Sequence, residues 1–78
     1  MVYKKIAKML AEIIDADYED ITQETELTTE YGIEAVNVAK LVIQCEKYLK
    51  IIIHDEDVHN FKRVKDIAEY IEEILSDN

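Results

Sequence analysis

The chain has 78 residues, which is enough for one domain but too few to enclose a deep active site of its own. Its 49% hydrophobic residues are too many for a disordered tail. Eighteen acidic and nine basic residues leave a formal charge of −9, which disfavours nucleic acid and anionic membranes as partners and favours proteins with basic docking surfaces. On charge alone, an acidic surface that merely keeps the protein soluble is an equal alternative.

The N-terminal residues predict neither a signal peptide nor a membrane span, because Lys4 and Lys5 are followed by an amphipathic stretch that contains Glu12.

Cys45 is the single cysteine, so no internal disulfide can form, and we expect a protein of the reducing cytoplasm. Cys45 lies in an apolar-periodic stretch. We therefore predict a buried thiol that packs as a small hydrophobe.

The first predicted element is an amphipathic helix from about residue 2 to the polar residues 15–17. Its apolar residues recur at spacings of three and four, and they are Ile6, Met9, Leu10, Ile13 and Ile14. Residues 18–31 predict a long ordered loop, because their threonines and acids favour turns and caps. We expect Ile21 and Leu27 to pin this loop to the core.

Gly32 precedes a second amphipathic helix, predicted from about residue 35 to residue 50. The sequence predicts a wide apolar face on it, formed by Val36, Ala39, Leu41, Val42, Ile43, Cys45 and Leu49. Three isoleucines follow at positions 51–53. They predict an extended connector, because the sequence offers no second strand to pair with them. With Ile53 buried, Ile52 points outward, and we predict that it contacts a partner or a second copy.

Asp55, Glu56 and Asp57 predict the N-terminal cap and first turn of a short helix that runs through Val58 and Phe61. The apolar residues of a closing helix follow, and they are Val64, Ile67, Ala68, Ile71, Ile74 and Leu75. The chain ends in the polar residues Ser76, Asp77 and Asn78. The sequence thus predicts an all-α domain of three longer helices and one short helix, with a long loop between the first two helices.

Stand-alone catalysis has little support in these residues. Cys45 is expected to be buried and Ser76 lies in the tail, so no nucleophile is placed for a hydrolytic triad. Metal-ligating residue types do cluster, at His54, Asp55, Asp57 and His59. Their spacing matches no closed metal site, and acids in a first helical turn are ordinary capping. We predict neither an enzyme nor a metal centre.

The junction of the long loop with the second helix reads Gly32, Ile33, Glu34, Ala35, Val36 and Asn37. It resembles the Gly-x-Asp-Ser-Leu-(Asp/Asn) motif at which the second helix of the acyl carrier proteins begins. The resemblance covers nearly the whole chain, including Ile53 with its following acids and residues 67–71. It implies a four-helix bundle of the acyl-carrier-protein type, formed by residues 1–78 as a single carrier domain.

In that family a serine at the start of the second helix carries 4′-phosphopantetheine, whose thiol holds an acyl group as a thioester. The resemblance therefore implies a cytoplasmic, monomeric carrier in fatty-acid or polyketide biosynthesis. Its partners would be a phosphopantetheinyl transferase and acyl-handling enzymes. The resemblance also implies an internal space for the acyl chain, lined or bordered by Ala39, Val42, Cys45, Phe61 and Ile67. Plain core packing is the alternative for each of these residues.

Ala35 stands where the family has its modified serine. Alanine has no hydroxyl group, so this chain cannot carry the arm at the family's position. Two explanations stay open. Ala35 is a substitution in a working carrier, which we favour because the residues that support the fold are intact, or the chain is a natural interaction module without a prosthetic group. An aminoacyl or peptidyl carrier is a further alternative, because these patterns overlap.

A second departure concerns the charge of the second helix. The family's second helix is usually acidic and docks on basic patches of its enzymes, whereas here three lysines outnumber two glutamates. These charged residues are Lys40, Lys47, Lys50, Glu34 and Glu46. Acidic residues concentrate in the loop and at positions 55–57 instead. The expected docking residues are Val38, Lys40, Asp55, Glu56 and Asp57.

Overall fold

The computed structural model describes residues 2–76, and this part of the chain contains four α-helices and no strand. The helices are α1 (Val2–Ile14), α2 (Ala35–Leu49), α3 (Asp55–Val58) and α4 (Val64–Ser76). The predicted all-α class, the order of the helices and the long first loop are confirmed. Of the predicted polar tail, residues 77 and 78 lie outside the described range.

The core lies where α1 packs against both α2 and α4. Its buried residues are all apolar, and they are Ile6, Ala7, Leu10, Ala11, Ile21, Ile33, Leu41, Val42, Cys45, Ile53, Phe61, Val64, Ile67, Ala68 and Ile71. On α1 and α4 these residues recur at helical spacing and form one stripe on each helix. Burial of such stripes is the main stabilising contribution in a domain of this size.

The apolar face predicted for α2 was too wide. Only Leu41, Val42 and Cys45 are buried on this helix, whereas Val36 is 57% exposed and Ile43 is 49% exposed. At 3.6 residues per turn, positions 36 and 43 lie on the side of the helix opposite the buried stripe. Val36 faces solvent and Ile43 is only half covered, because α1 packs on the other side of the helix.

The long loop contains two short 3₁₀ turns, at Tyr18–Asp20 and Thr29–Tyr31. As predicted, it is pinned to the core, with Ile21 buried and Leu27 partly buried. Backbone hydrogen bonds also tie it to the start of α4: the Leu27 N–H donates to the Lys62 carbonyl at 2.9 Å and the Val64 N–H to the Thr25 carbonyl at 3.0 Å. The loop is therefore held by the backbone as well as by its aliphatic side chains.

The connector at 51–53 is non-helical, with Ile52 73% exposed and Ile53 buried, as predicted. The short helix differs from its prediction in two respects. It ends at Val58, so Phe61 is buried in the following turn rather than in the helix. Its capping position is His54, which makes no side-chain cap bond, while the predicted acids at 55–57 occupy the first turn. Acids there still interact favourably with the helix dipole.

Replacing Gly32 by alanine is expected to lower the free energy of unfolding by about 1 kcal/mol. Gly32 ends the second 3₁₀ turn with φ of 74°, in the left-handed region. No atom lies within 4 Å of a Cβ added there, so the expected cost comes from the backbone conformation alone. Urea denaturation measures it, with Gly32→Asn as the control, because asparagine tolerates this conformation better. An alanine variant as stable as the parent would contradict the assigned backbone conformation.

Replacing Asp66 by asparagine is expected to make the free energy of unfolding fall less steeply as the pH is lowered into the acid range. The Asp66 carboxylate accepts hydrogen bonds from the backbone N–H groups of Lys62 at 2.9 Å and Arg63 at 3.0 Å. These bonds, chiefly that from Lys62, hold the pKa of Asp66 below its ordinary value. The stability they contribute is present above the ordinary carboxyl pKa and is lost as the pH falls through the lower folded-state pKa.

Urea denaturation over a pH series measures this effect. Glu69→Gln is the matched control, since Glu69 is an exposed acid on the same helix. The same acid-side slope in Asp66→Asn and in the parent would show that Asp66 does not cap α4.

Candidate functional site

The start of α2 is the first candidate site, because the sequence motif lies there. Ala35 is the first residue of the helix and its side chain is exposed. Two positions earlier, Ile33 is buried, and its N–H donates to the Thr28 carbonyl at 3.1 Å. Together with the left-handed Gly32, this anchor fixes the direction in which the chain enters the helix.

Asn37 fixes the first turn of α2. Its Oδ1 accepts a hydrogen bond from the backbone N–H of Glu34 at 2.7 Å, and its own N–H donates to the Glu34 carbonyl at 2.9 Å. The N–H groups of Ala35 and Val36 precede the first intrahelical bonds and have no acceptor within the helix. An exposed helix start with free N–H groups is favourable for an anion such as a phosphate group.

The chemistry of covalent attachment is missing at this position. Residues 32–38 contain no hydroxyl or thiol group, and Ala35 presents only a methyl group. The nearest aliphatic hydroxyls along the chain are those of Thr29, in the preceding 3₁₀ turn, and Thr28, just before that turn, and Ser76 lies in the last turn of α4. The hydroxyl of Tyr31 is a phenol. The backbone therefore suits a phosphate, whereas the side chain at position 35 cannot form a phosphodiester.

The residues predicted to dock partners differ in their exposure. Lys40, Asp55 and Glu56 are exposed, whereas Val38 is partly buried and packs against the core. Asp57 is also partly buried, and its Oδ2 accepts a hydrogen bond from the Tyr70 hydroxyl at 2.7 Å. Asp57 therefore joins α3 to α4 as well as contributing charge.

Tyr70 was missed by the sequence reasoning. The hydrogen bond to Asp57 raises the pKa of the Tyr70 hydroxyl above its ordinary value, and burial adds a smaller increase. The Tyr70 ring also packs edge-on against Phe61, with ring centroids 5.3 Å apart. In the sequence, Tyr70 is only an aromatic residue within the stretch 67–71. That pattern gives no indication that its hydroxyl bonds to Asp57.

The five residues predicted to line an acyl space fall into two groups. Cys45, Phe61 and Ile67 lie in the core and do not line a groove between α2 and α3. Val42, which is also buried in the core, and the exposed Ala39 line a surface groove of about 330 Å³ between these two helices. The other residues of this groove are Ile43, Glu46, Asp55, Val58 and His59. Sequence reasoning missed Ile43 as a groove residue because it placed the side chain in the core.

Two neighbouring residues of α2, Cys45 and Glu46, lie at or next to the groove between α2 and α3. Glu46 accepts a hydrogen bond from the Ile53 N–H at 2.9 Å and so holds the connector against the helix. The Cys45 thiol is buried, as predicted. Burial, with a smaller contribution from the charge of Glu46, raises the pKa of the Cys45 thiol to about 11. This thiol is protonated near neutral pH and is a poor nucleophile.

Other kinds of site find little support in residues 2–76. Within that range no three histidine, cysteine, aspartate or glutamate side chains are grouped to hold a metal ion. His54 and His59, which were weighed as ligands, are exposed. No helix in the described range combines the length and apolar character needed to cross a membrane.

Comparison with known sequences bears on the whole chain. A sequence model of the phosphopantetheine attachment site family matches residues 4–71. The acyl carrier protein of Phytoplasma mali is 36% identical over 73 residues, which cover 94% of this chain and 87% of the relative. The acyl carrier protein of Onion yellows phytoplasma is 35% identical over 71 residues, covering 91% of this chain and 93% of the relative. That of Syntrophobacter fumaroxidans is 33% identical over 67 residues, covering 86% and 83%.

Proposed function

The chain belongs to the acyl carrier protein family, and we propose that it is the unloadable form of a carrier of thioester-bound acyl groups. Members of this family are carriers rather than enzymes, and their cofactor is 4′-phosphopantetheine. The observation that carries the proposal is the match to the phosphopantetheine attachment site over residues 4–71, which includes the start of α2. A carrier contributes no bond-making chemistry. It raises the effective concentration of its cargo at each partner enzyme.

We propose Ala35 as the position of attachment. It is exposed at the first residue of α2, where free backbone N–H groups suit a phosphate. A hydroxymethyl group there would project into solvent, within reach of a transferase. Gly32, Glu34 and Asn37 would serve the site by shaping the loop-to-helix junction, through the turn and the hydrogen bonds that begin α2.

We further propose that partner enzymes dock beside this position. A phosphopantetheinyl transferase and acyl-handling biosynthetic enzymes are the expected partners. Lys40 on α2 and the acids Asp55 and Glu56 on α3 are exposed and available for charged contacts. The groove at Ala39 and Val42 is the proposed point at which an acyl chain would enter between α2 and α3.

One observation favours a second candidate function. The observation is the alanine at position 35, because a natural interaction module that has lost the arm would not need a serine there. Such a module would keep the fold and its docking surfaces but would need no hydroxyl group at position 35. It differs from a substituted carrier in one measurable property, since restoring serine need not make it a substrate of the transferase.

The experiment is an intact-mass measurement after incubation with coenzyme A and a broad-specificity phosphopantetheinyl transferase. We expect the Ala35→Ser variant to gain the mass of one arm and the parent to gain none. Circular dichroism of both chains checks that the variant remains folded. A folded variant that gains nothing would overturn the carrier assignment in favour of the interaction module.

A further inference from the structure

A groove of about 550 Å³ follows the seam between α1 and α2. We call it the seam groove, and its residues are Lys5, Lys8, Met9, Glu12, Gln44, Lys47 and Tyr48. A smaller depression adjoins it, sharing Glu12 and Gln44 and adding Ile13 and Lys40. This surface is separate from the groove between α2 and α3 and includes neither Ala35 nor its flanking residues.

The charge of the seam groove is opposite to that of the chain as a whole. Three lysines and one glutamate line it, in a protein with a net charge of −9. Among the described residues, ion pairs form at Arg63 and Lys65 but not at these three lysines. None of the three lysines is paired with a carboxylate in this way, and their three positive charges outweigh the single negative charge of Glu12 in the groove.

Aromatic rings hold two of these lysines in place. The Lys5 Nζ donates to the Tyr48 hydroxyl at 2.8 Å and lies 4.9 Å from the centre of the Tyr48 ring. The Lys8 Nζ lies 5.8 Å from the centre of the Tyr18 ring. Such contacts orient an ammonium group without removing its charge. The cations at the rim are thus partly preorganised for an anionic group.

The floor of the seam groove is apolar. Tyr48 is 58% exposed, and Met9 lies beside it, partly buried against the core. The methylene stems of the lysines extend this apolar surface beneath their charged ends. A complementary ligand therefore needs carboxylates at its edges and aliphatic side chains between them.

We propose that the seam groove docks an acidic amphipathic segment, such as one helix, of a partner protein. Electrostatic interactions decay over about 8 Å at physiological ionic strength, so a segment confined to this groove is attracted by its lysines. A flat anionic membrane or a second copy of the chain is larger and would also meet the acidic surfaces elsewhere. This docking does not depend on the residue at position 35.

The probe is a synthetic helical peptide about as long as α1, with leucine on one face and glutamate on the other. The ¹⁵N-labelled parent protein is titrated with it at about 0.15 M salt, the ionic strength of physiological solutions. We expect amide shifts concentrated at α1 and α2 around the seam groove. A control peptide with lysine in place of every glutamate is expected to cause no shifts around the seam groove, and any shifts it causes are expected at the acidic surfaces instead.

Two charge-reversal variants make the test specific. Lys8→Glu combined with Lys47→Glu reverses two of the three lysine charges of the seam groove and should weaken binding of the acidic peptide at least about tenfold. Lys62→Glu combined with Arg63→Glu makes the same change in net charge at exposed residues outside the groove, and should change the affinity less than about twofold. Circular dichroism checks that both variants remain folded.

Three results would overturn the proposal: equal weakening in both variants, shifts from the acidic peptide that map to other elements, or equal shifts around the seam groove with the lysine peptide. Sedimentation of the parent protein tests the rival occupant. Self-association that is abolished by the Lys8 and Lys47 reversals would assign the seam groove to a second copy of the chain instead.

Discussion

Replacing Ile67 by alanine is expected to lower the free energy of unfolding by about 3 kcal/mol. Ile67 is fully buried on α4, the helix that packs against α1. The substitution removes buried methyl and methylene groups and leaves a cavity that the surrounding helices fill only in part. Small domains are stable by only about 5–15 kcal/mol, so this loss is a large fraction of the total.

Urea denaturation of Ile67→Ala measures the loss, with Leu75→Ala as the matched control. Leu75 lies on the same helix and is 37% exposed, so its replacement is expected to cost less than about 1 kcal/mol. Ile67 was also predicted to border a space for an acyl chain. A cost no larger than that of the control would indicate loose packing around Ile67 and would contradict the tightly packed core.

The Cys45 thiol of the folded chain is expected to react with a disulfide reagent at least roughly a hundredfold more slowly than the thiol of the unfolded chain. Burial raises the pKa of the Cys45 thiol to about 11, which lowers the fraction present as the reactive thiolate near pH 8. The full burial of the side chain adds a steric barrier. Reaction then requires an opening of the core between α2 and its neighbours.

Reaction with a chromogenic aromatic disulfide, followed by absorbance with and without denaturing urea, measures this ratio. The same raised pKa predicts that stability falls as the pH rises from the ordinary thiol pKa towards about 11, because the unfolded chain loses its thiol proton first. A folded chain that reacts nearly as fast as the unfolded one would show that Cys45 lies in an accessible space rather than in the closed core.

The helices were predictable to different degrees, for reasons visible in single residues. Ile6 and Leu10 on α1, and Ile67 and Ile71 on α4, lie on narrow stripes that a single packing direction buries. Val36 and Ile43 on α2 could not be assigned in this way. Apolar residues occur on both sides of that helix, and only the packing of α1 decides which side is buried.

The location of the candidate site in the chain could be predicted, whereas the hydrogen bonds that shape it could not. The motif at Gly32 to Asn37 predicted a helix that begins at about residue 35, and α2 begins at Ala35. Its hydrogen bonds depend on backbone geometry, as when Asn37 accepts from the N–H of Glu34. Periodicity in apolar residues carries no information on such contacts.

Contacts between distant segments could not be predicted either. Leu27 bonds to Lys62 and Tyr70 bonds to Asp57 only after the helices pack. The seam groove is a similar case. Lys5 and Lys8 on α1 line the same groove as Lys47 on α2 only because these two helices pack together. In the sequence, the three lysines are separate charged residues with no sign that they share a surface.

The most direct test of Ala35 as the attachment position compares serine at two exposed alanines of α2. Ala35 and Ala39 lie about one turn apart, so Ala35→Ser and Ala39→Ser place the same hydroxyl group on the same helix. Each variant and the parent is incubated with coenzyme A and the transferase, and intact mass and peptide mapping follow. We predict one arm on Ala35→Ser, attached at residue 35, and none on Ala39→Ser or the parent. Equal loading of both variants, or an arm on the parent, would contradict the assignment of position 35.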